Sequence, residues 1–207
     1  MRNRVMNANV EKFIRFYNSE FGKKIMEKET EYVCNELRNC EQILDVGCGI
    51  GSFEQYLPNL NITGLDSSKE MLEEARKGSD KTFILGNAED LKFKDSTFDA
   101  VFTVTTLEFL DNYKKAVEEI ARVTKQRGKI LVMMLNPESE YFKEGIKKPG
   151  DYFKKIKYMS PEKMGAHISH FYAIAKEEYF LGIRSQNIFD TGDERYASLY
   201  VVVGIKK

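Results

Sequence analysis

A short apolar run that passes directly into glycines at alternate positions leaves few folds open, and residues 43–51, Ile43-Leu44-Asp45-Val46-Gly47-Cys48-Gly49-Ile50-Gly51, have that form. The run reads as a strand covered on both faces. Glycine lets the backbone turn tightly and approach a ligand with no Cβ in the way. A helix starting near Ser52 turns unpaired N–H groups and a positive dipole end towards the glycines, which suits a carboxylate or a phosphate. Strand, glycine turn and helix in that order open a parallel α/β sheet, whose ligands sit outside the carboxyl ends of the strands.

The rest of the chain continues the alternation. Candidate strands are Gln42 to Val46, Asn61 to Leu65, Thr82 to Leu85, Phe98 to Val104 and Lys129 to Leu135. Tyr113, Ala116, Val117, Ile120 and Val123 recur at helical spacing between the last two, with Asp111 placed to cap the helix and Gly128 to stop it. Residues 8–37 read as two helices broken near Asn18 to Gly22, a cap ahead of the sheet. An irregular stretch runs from Asn136 to Met159, and Ser160-Pro161-Glu162 opens a short helix. Ala173 to Ile183 and Ala197 to Ile205 are strand-like, and the short link between them predicts a hairpin. The expected architecture is one α/β unit over 1–207: cap 1–40, core 41–135, insertion and helix 136–172, strand pair 173–207. Its sheet has seven strands, mostly parallel, the last antiparallel.

Lysine and arginine number 32, as do aspartate and glutamate, so no positive excess drives binding to a phosphate backbone, and nucleic acid is not the expected partner. The longest apolar runs, such as Ile130 to Leu135, are too short to cross a bilayer, and the start Met1-Arg2-Asn3-Arg4 has no apolar signal region. A soluble cytoplasmic protein without membrane contact, monomer or homodimer, is expected. The three cysteines, Cys34, Cys40 and Cys48, are an odd number and read as reduced thiols. They are too scattered to hold a thiophilic acceptor such as arsenite. His167 and His170 lack a third ligand, so no metal is expected.

The glycine spacing is G-x-G-x-G, with Ser52 where a dinucleotide fingerprint has its third glycine, which weakens a nicotinamide-dehydrogenase reading. The second strand ends in Gly64-Leu65-Asp66, placing a carboxylate beside the glycine loop where it can accept both ribose hydroxyls. The third ends in Gly86-Asn87-Ala88-Glu89-Asp90, a polar turn able to read an adenine edge. Three strand ends thus point polar groups into one crevice.

Together with Ser67-Ser68, Met71-Leu72, Leu91, Ser96-Thr97-Phe98-Asp99, Leu107-Glu108-Phe109-Leu110, Glu119-Ile120-Ala121-Arg122-Val123 and Arg127-Gly128-Lys129, this ordered series resembles the small class I S-adenosylmethionine-dependent methyltransferases of the ubiquinone/menaquinone-biosynthesis type. The resemblance covers nearly the whole chain. It implies a Rossmann-like three-layer sandwich with strand order 3-2-1-4-5-7-6, and S-adenosylmethionine as cofactor with S-adenosylhomocysteine as product. Residue by residue, it implies Gly47, Cys48, Gly49 and Gly51 along the methionine part and Asp45 near its ammonium. Asp66 goes to the ribose, Ser67 and Met71 flank the adenine, Asn87, Ala88 and Glu89 meet its edge, and a carbonyl near Thr103 faces the ammonium. Tyr17, Gly22 and Glu29 resemble the amino-terminal cap of one branch, with Tyr17 and Gly22 expected at the cofactor, although the aromatic that usually follows the tyrosine is missing.

Methyl transfer from a sulfonium is an in-line displacement with an activated donor, so alignment and exclusion of water matter more than a catalytic triad. Glu108, on the loop after the fourth strand, is the candidate base or acceptor-positioning group; otherwise it is a solvent-facing or capping carboxylate. Tyr17 is the second catalytic candidate, or ordinary packing. The stretch 136–159 combines Tyr141, Phe142, Tyr152, Phe153 and Tyr158 with six lysines, Lys143, Lys147, Lys148, Lys154, Lys155 and Lys157. These close over an anionic or planar small-molecule acceptor, or form a solvated insertion. A cofactor-binding sensor without turnover shares every cofactor residue with the enzyme.

Overall fold

The computed structural model describes residues 8–148 and 152–207. Helices α1 (Ala8–Asn18) and α2 (Glu20–Leu37) come first, separated only by Ser19. The Ser19 hydroxyl accepts the Gly22 amide at 3.0 Å and so caps α2. The core then alternates β1 (Ile43–Val46), α3 (Ser52–Tyr56), β2 (Ile62–Asp66), α4 (Lys69–Gly78), β3 (Thr82–Leu85), β4 (Phe98–Val104), α5 (Tyr113–Val123) and β5 (Thr124–Leu135). The remainder is α6 (Glu140–Gly145), α7 (Pro161–Ile168), β6 (Tyr172–Arg184), β7 (Asn187–Phe189) and β8 (Ala197–Lys206).

One sheet of eight strands results, in the order β3-β2-β1-β4-β5-β8-β6-β7. The first five pair in parallel, and β8 runs antiparallel between β5 and β6. The expected order is present, but the expected count of seven is corrected by the edge strand β7. It forms because Ser185 and Gln186 both take left-handed backbone, φ 47° and 65°, the two-residue turn that matches the twist of a hairpin. Asn187 to Phe189 then pairs back onto β6.

Successive residues of β5 serve opposite faces. Ile130, Val132 and Met134 pack with α5 and α7, while Leu131, Met133 and Leu135 pack with α2, α3 and α6. Helices on both sides explain why the central strands are apolar throughout. On α5, Tyr113, Ala116, Val117, Ile120 and Val123 are all buried, and truncating Ile120 to Ala costs about 2–5 kcal/mol on the scale of such core deletions. Among the described residues, no helix is long and apolar enough to cross a membrane.

Three local expectations are corrected. The cap of α5 is Asn112, whose side chain accepts the Lys115 amide at 3.2 Å, and Asp111 instead pairs with Lys157. Gly128 does not stop α5, which ends at Val123 and runs straight into β5. A Cβ at Gly128 would lie 2.9 Å from the Asp99 carbonyl, beside the register shift between β4 and β5, so the glycine serves a close strand approach. The stretch 136–159 is not wholly irregular: α6 has Ser139 as its cap, and a 3-10 turn covers Tyr152–Lys155. Residues 149–151 of that stretch lie outside the described residues.

Candidate active site

The carboxyl ends of β1, β2 and β4 open into a chamber of about 340 Å³. Gly47, Gly49 and Gly51 have φ of 85°, 55° and 72°, which carries the chain from β1 into α3 through left-handed backbone. At Gly47 a Cβ would lie 2.3 Å from Thr106 Oγ1, so the loop after β4 rests on this glycine; at Gly49 nothing lies within 4 Å of where a Cβ would project. Gly49 is the open cradle. Its amide donates to Asp66 Oδ2 at 2.9 Å, and the Ser68 amide donates to Oδ1 at 2.8 Å. One carboxylate at the end of β2 thereby holds the glycine loop and the start of α4, with lone pairs left for further donors.

Below the cradle two acidic side chains are buried with oxygens that lack partners. Asp45 is 2% exposed, and its Oδ2 has no hydrogen-bond partner. Glu54, 1% exposed, leaves both oxygens without one. Burial raises both carboxyls, and the charge of Glu54, then of Asp66, raises Asp45 further. Burial likewise pushes the Cys48 thiol up. A cation beside Asp45 would relieve that desolvation.

Tyr17, Asp45, Gly47, Cys48, Gly49, Asp66, Ser67, Met71, Asn87 and Ala88 all line this chamber. Gly22, Glu89 and Thr103 are not among its lining residues, although the chain next to Thr103, at Val104 and Thr105, is. A Cβ on Gly22 would sit 2.0 Å from the Phe16 carbonyl, so this glycine seats the end of α1 against α2. Glu89 Oε1 accepts the Asn112 amide at 2.8 Å, which turns the carboxylate towards the start of α5. Thr103 is buried within β4, and Val104, Thr105 and Thr106 form the wall in its place.

Glu108 is corrected too. It is 2% exposed and lines neither this chamber nor the one beyond it. Its Oε1 accepts the Leu135 amide at 2.8 Å, its Oε2 is enclosed without a partner, and burial pushes its pKa up to about 7. Phe109, next along the same turn, faces the chamber.

A second, larger chamber of about 840 Å³ adjoins the first. Phe13, Tyr17, Val104, Thr105, Tyr152 and Lys155 border both. Thr105, at φ 46°, turns the chain sharply where they meet, its amide donating to the Met133 carbonyl at 2.8 Å. The outer walls are aromatic: Phe13 meets Tyr152 edge-on at 5.3 Å, Phe16 meets Tyr17 at 5.2 Å, and Tyr141 meets Phe153 at 5.7 Å. Tyr141, Tyr152, Phe153, Lys148 and Lys155 from the 136–159 stretch line it, whereas Phe142 is core and Tyr158 packs on Tyr113. Burial, then the charges of Glu29 and Asp45, raise the Tyr17 phenol, which stays neutral. Phe13 and Thr105 belong to no sequence motif, and only the fold brings them to the chambers.

Residues 44–132, spanning the glycine loop, Asp66 and β4, match the family described as methyltransferase domain. That segment carries a methyltransferase domain. S-adenosylmethionine is the cofactor that goes with this domain. An uncharacterised protein of Methanocaldococcus jannaschii is 37% identical over 58% of this chain and 58% of its own. The demethylmenaquinone methyltransferase of Thermotoga maritima is 38% identical over 48% of this chain and 45% of its own. The chain thus spans about half the length of the curated relatives it matches. Its fold is shared with a crystal structure from Thermotoga maritima described as an S-adenosylmethionine-dependent methyltransferase, possible histamine N-methyltransferase, at TM-score 0.80, 24% identity and 96% of each chain. A second such methyltransferase structure, from Archaeoglobus fulgidus, has TM-score 0.77 and 16% identity over 97% of this chain and 100% of that one.

The residues fit the cofactor. The orphaned Asp45 oxygen offers an acceptor for an ammonium, Asp66 offers one for ribose hydroxyls, and the open side of Gly49 admits backbone-close contact.

Proposed function

We propose that the chain transfers a methyl group from S-adenosylmethionine to a small-molecule acceptor by in-line displacement, with the acceptor held in the aromatic chamber. The observation that carries this reading is the junction of two chambers at Tyr17, Val104, Thr105 and Tyr152, one built on the glycine loop and the other on rings. Bound in the inner chamber, S-adenosylmethionine supplies an activated methyl group on a sulfonium. Asp45 and Asp66 would hold its ammonium and its ribose, and Ser67, Met71 and Ala88 would border its base. Thr105 and the ring of Tyr152 set the line between donor and acceptor, and the surrounding rings keep bulk water out. The neutral Tyr17 phenol can donate a hydrogen bond at the junction. No carboxylate is needed at the reacting atoms for an acceptor that is already nucleophilic.

The test joins two measurements. Calorimetry should show saturable binding of S-adenosylmethionine and S-adenosylhomocysteine. Incubation with labelled donor and an extract of small metabolites should then yield a labelled low-molecular-weight product. Binding without any labelled product would identify a sensor, and absence of binding would end the reading.

A further inference from the structure

Helix α2 buries Ile25, Met26, Glu29, Thr30, Val33 and Leu37. Five of these fit the buried face of an amphipathic helix; Glu29, 6% exposed, is the one ionisable group among them. Its carboxylate borders the outer chamber and, among the described residues, has no hydrogen-bond or ion-pair partner. A lone buried carboxylate is costly in any medium less polar than water, and the cost falls when a cation is placed against it. The other charged groups of this chamber lie differently. Lys12, Glu144, Lys148 and Arg184 are exposed, Arg184 pairing with Glu140 at 3.7 Å, and Lys155 is exposed where the two chambers meet. Exposed charges remain solvated and discriminate weakly, so the interior holds one acidic group with no cation against it among π faces. Both attract a cation, since a ring face and a carboxylate each stabilise an ammonium.

We propose that the outer chamber selects acceptors bearing a basic amine, whose ammonium pairs with Glu29 while the organic body lies against Phe13, Phe16, Phe21 and Tyr141. The inference rests on the methyl-transfer reading, because it takes this chamber as the acceptor side. The burial that pushes Glu29 up to about 8 is the same penalty that the amine would remove.

Calorimetry with the chain saturated by S-adenosylhomocysteine tests it, using phenethylamine, phenethyl alcohol and phenylacetate as cationic, neutral and anionic probes of one shape. Phenethylamine should bind about tenfold or more tighter than either counterpart, and Glu29→Gln should remove that preference while leaving affinity for S-adenosylhomocysteine unchanged. Equal or tighter binding of the alcohol or of phenylacetate would overturn the proposal, as would an amine preference that survives Glu29→Gln. No binding of any probe, with S-adenosylhomocysteine bound, overturns it as well. Failure of S-adenosylhomocysteine itself to bind is a separate result and strikes the methyl-transfer reading. Should the variant not fold, the comparison of the three probes on the unaltered chain still decides.

Discussion

Leu135 donates its backbone N–H to Glu108 Oε1 at 2.8 Å, fastening the turn after β4 to the last residue of β5. The carboxyl is therefore a strut between two loops that border the chambers. Glu108→Gln keeps an oxygen for Leu135, so cofactor affinity and turnover should be nearly unchanged. Glu108→Ala strands the amide and should lower stability by about 1–3 kcal/mol. Melting curves and labelled-methyl turnover on both variants check this. A Gln variant that melts normally, binds S-adenosylhomocysteine normally and transfers nothing would restore Glu108 as a base.

Asp66 holds two backbone amides at the mouth of the inner chamber. Asp66→Ala should abolish most of the rise in Tm that S-adenosylhomocysteine confers by linkage. Loss of charge-assisted hydrogen bonds worth about 1.5–3 kcal/mol corresponds to roughly ten- to a hundredfold weaker binding. An unchanged ligand-induced shift would detach the ribose from this residue.

Glu29 titrates near 8 in the fold against an ordinary 4.5, through burial. A raised carboxyl pKa means the folded chain holds the proton more tightly. The associated stability is complete below 4.5 and lost as pH rises towards about 8. Glu29→Gln has no such loss, so the Tm of the variant minus that of the unaltered chain should grow across this window and level off above it. Scanning calorimetry at several pH values without ligand reads the difference directly.

Gly22 lies where α1 ends against α2, and its added Cβ would fall 2.0 Å from the Phe16 carbonyl. Gly22→Ala should destabilise by about 1–3 kcal/mol, the range for forced overpacking. Gly192, with nothing within 4 Å, should accept alanine with little change. Paired melting curves test the contrast.

The parts legible in the amino-acid order are those set by local backbone chemistry. Residues 47–51 announce a left-handed turn by composition, and Asp66 follows a buried strand at the spacing a neighbouring strand requires. Side-chain direction is another matter. Nothing in Leu107-Glu108-Phe109 tells which neighbour faces the crevice, because the turn that decides it depends on contact with β5. Gly22 resembles a ligand contact in sequence and serves helix packing in space. The β6–β7 hairpin is not legible in the sequence because Ser185 and Gln186 are not the residues that usually mark a turn with positive φ at both positions. Glu29 stood out only as one letter of an amino-terminal pattern; its isolation among apolar neighbours exists only once α2 docks.

Phe13 and Tyr17 lie one helical turn apart on α1, and each borders both chambers. A single helix of 11 residues is thus the party wall of two rooms. Whatever occupies either room is bounded by the same two rings.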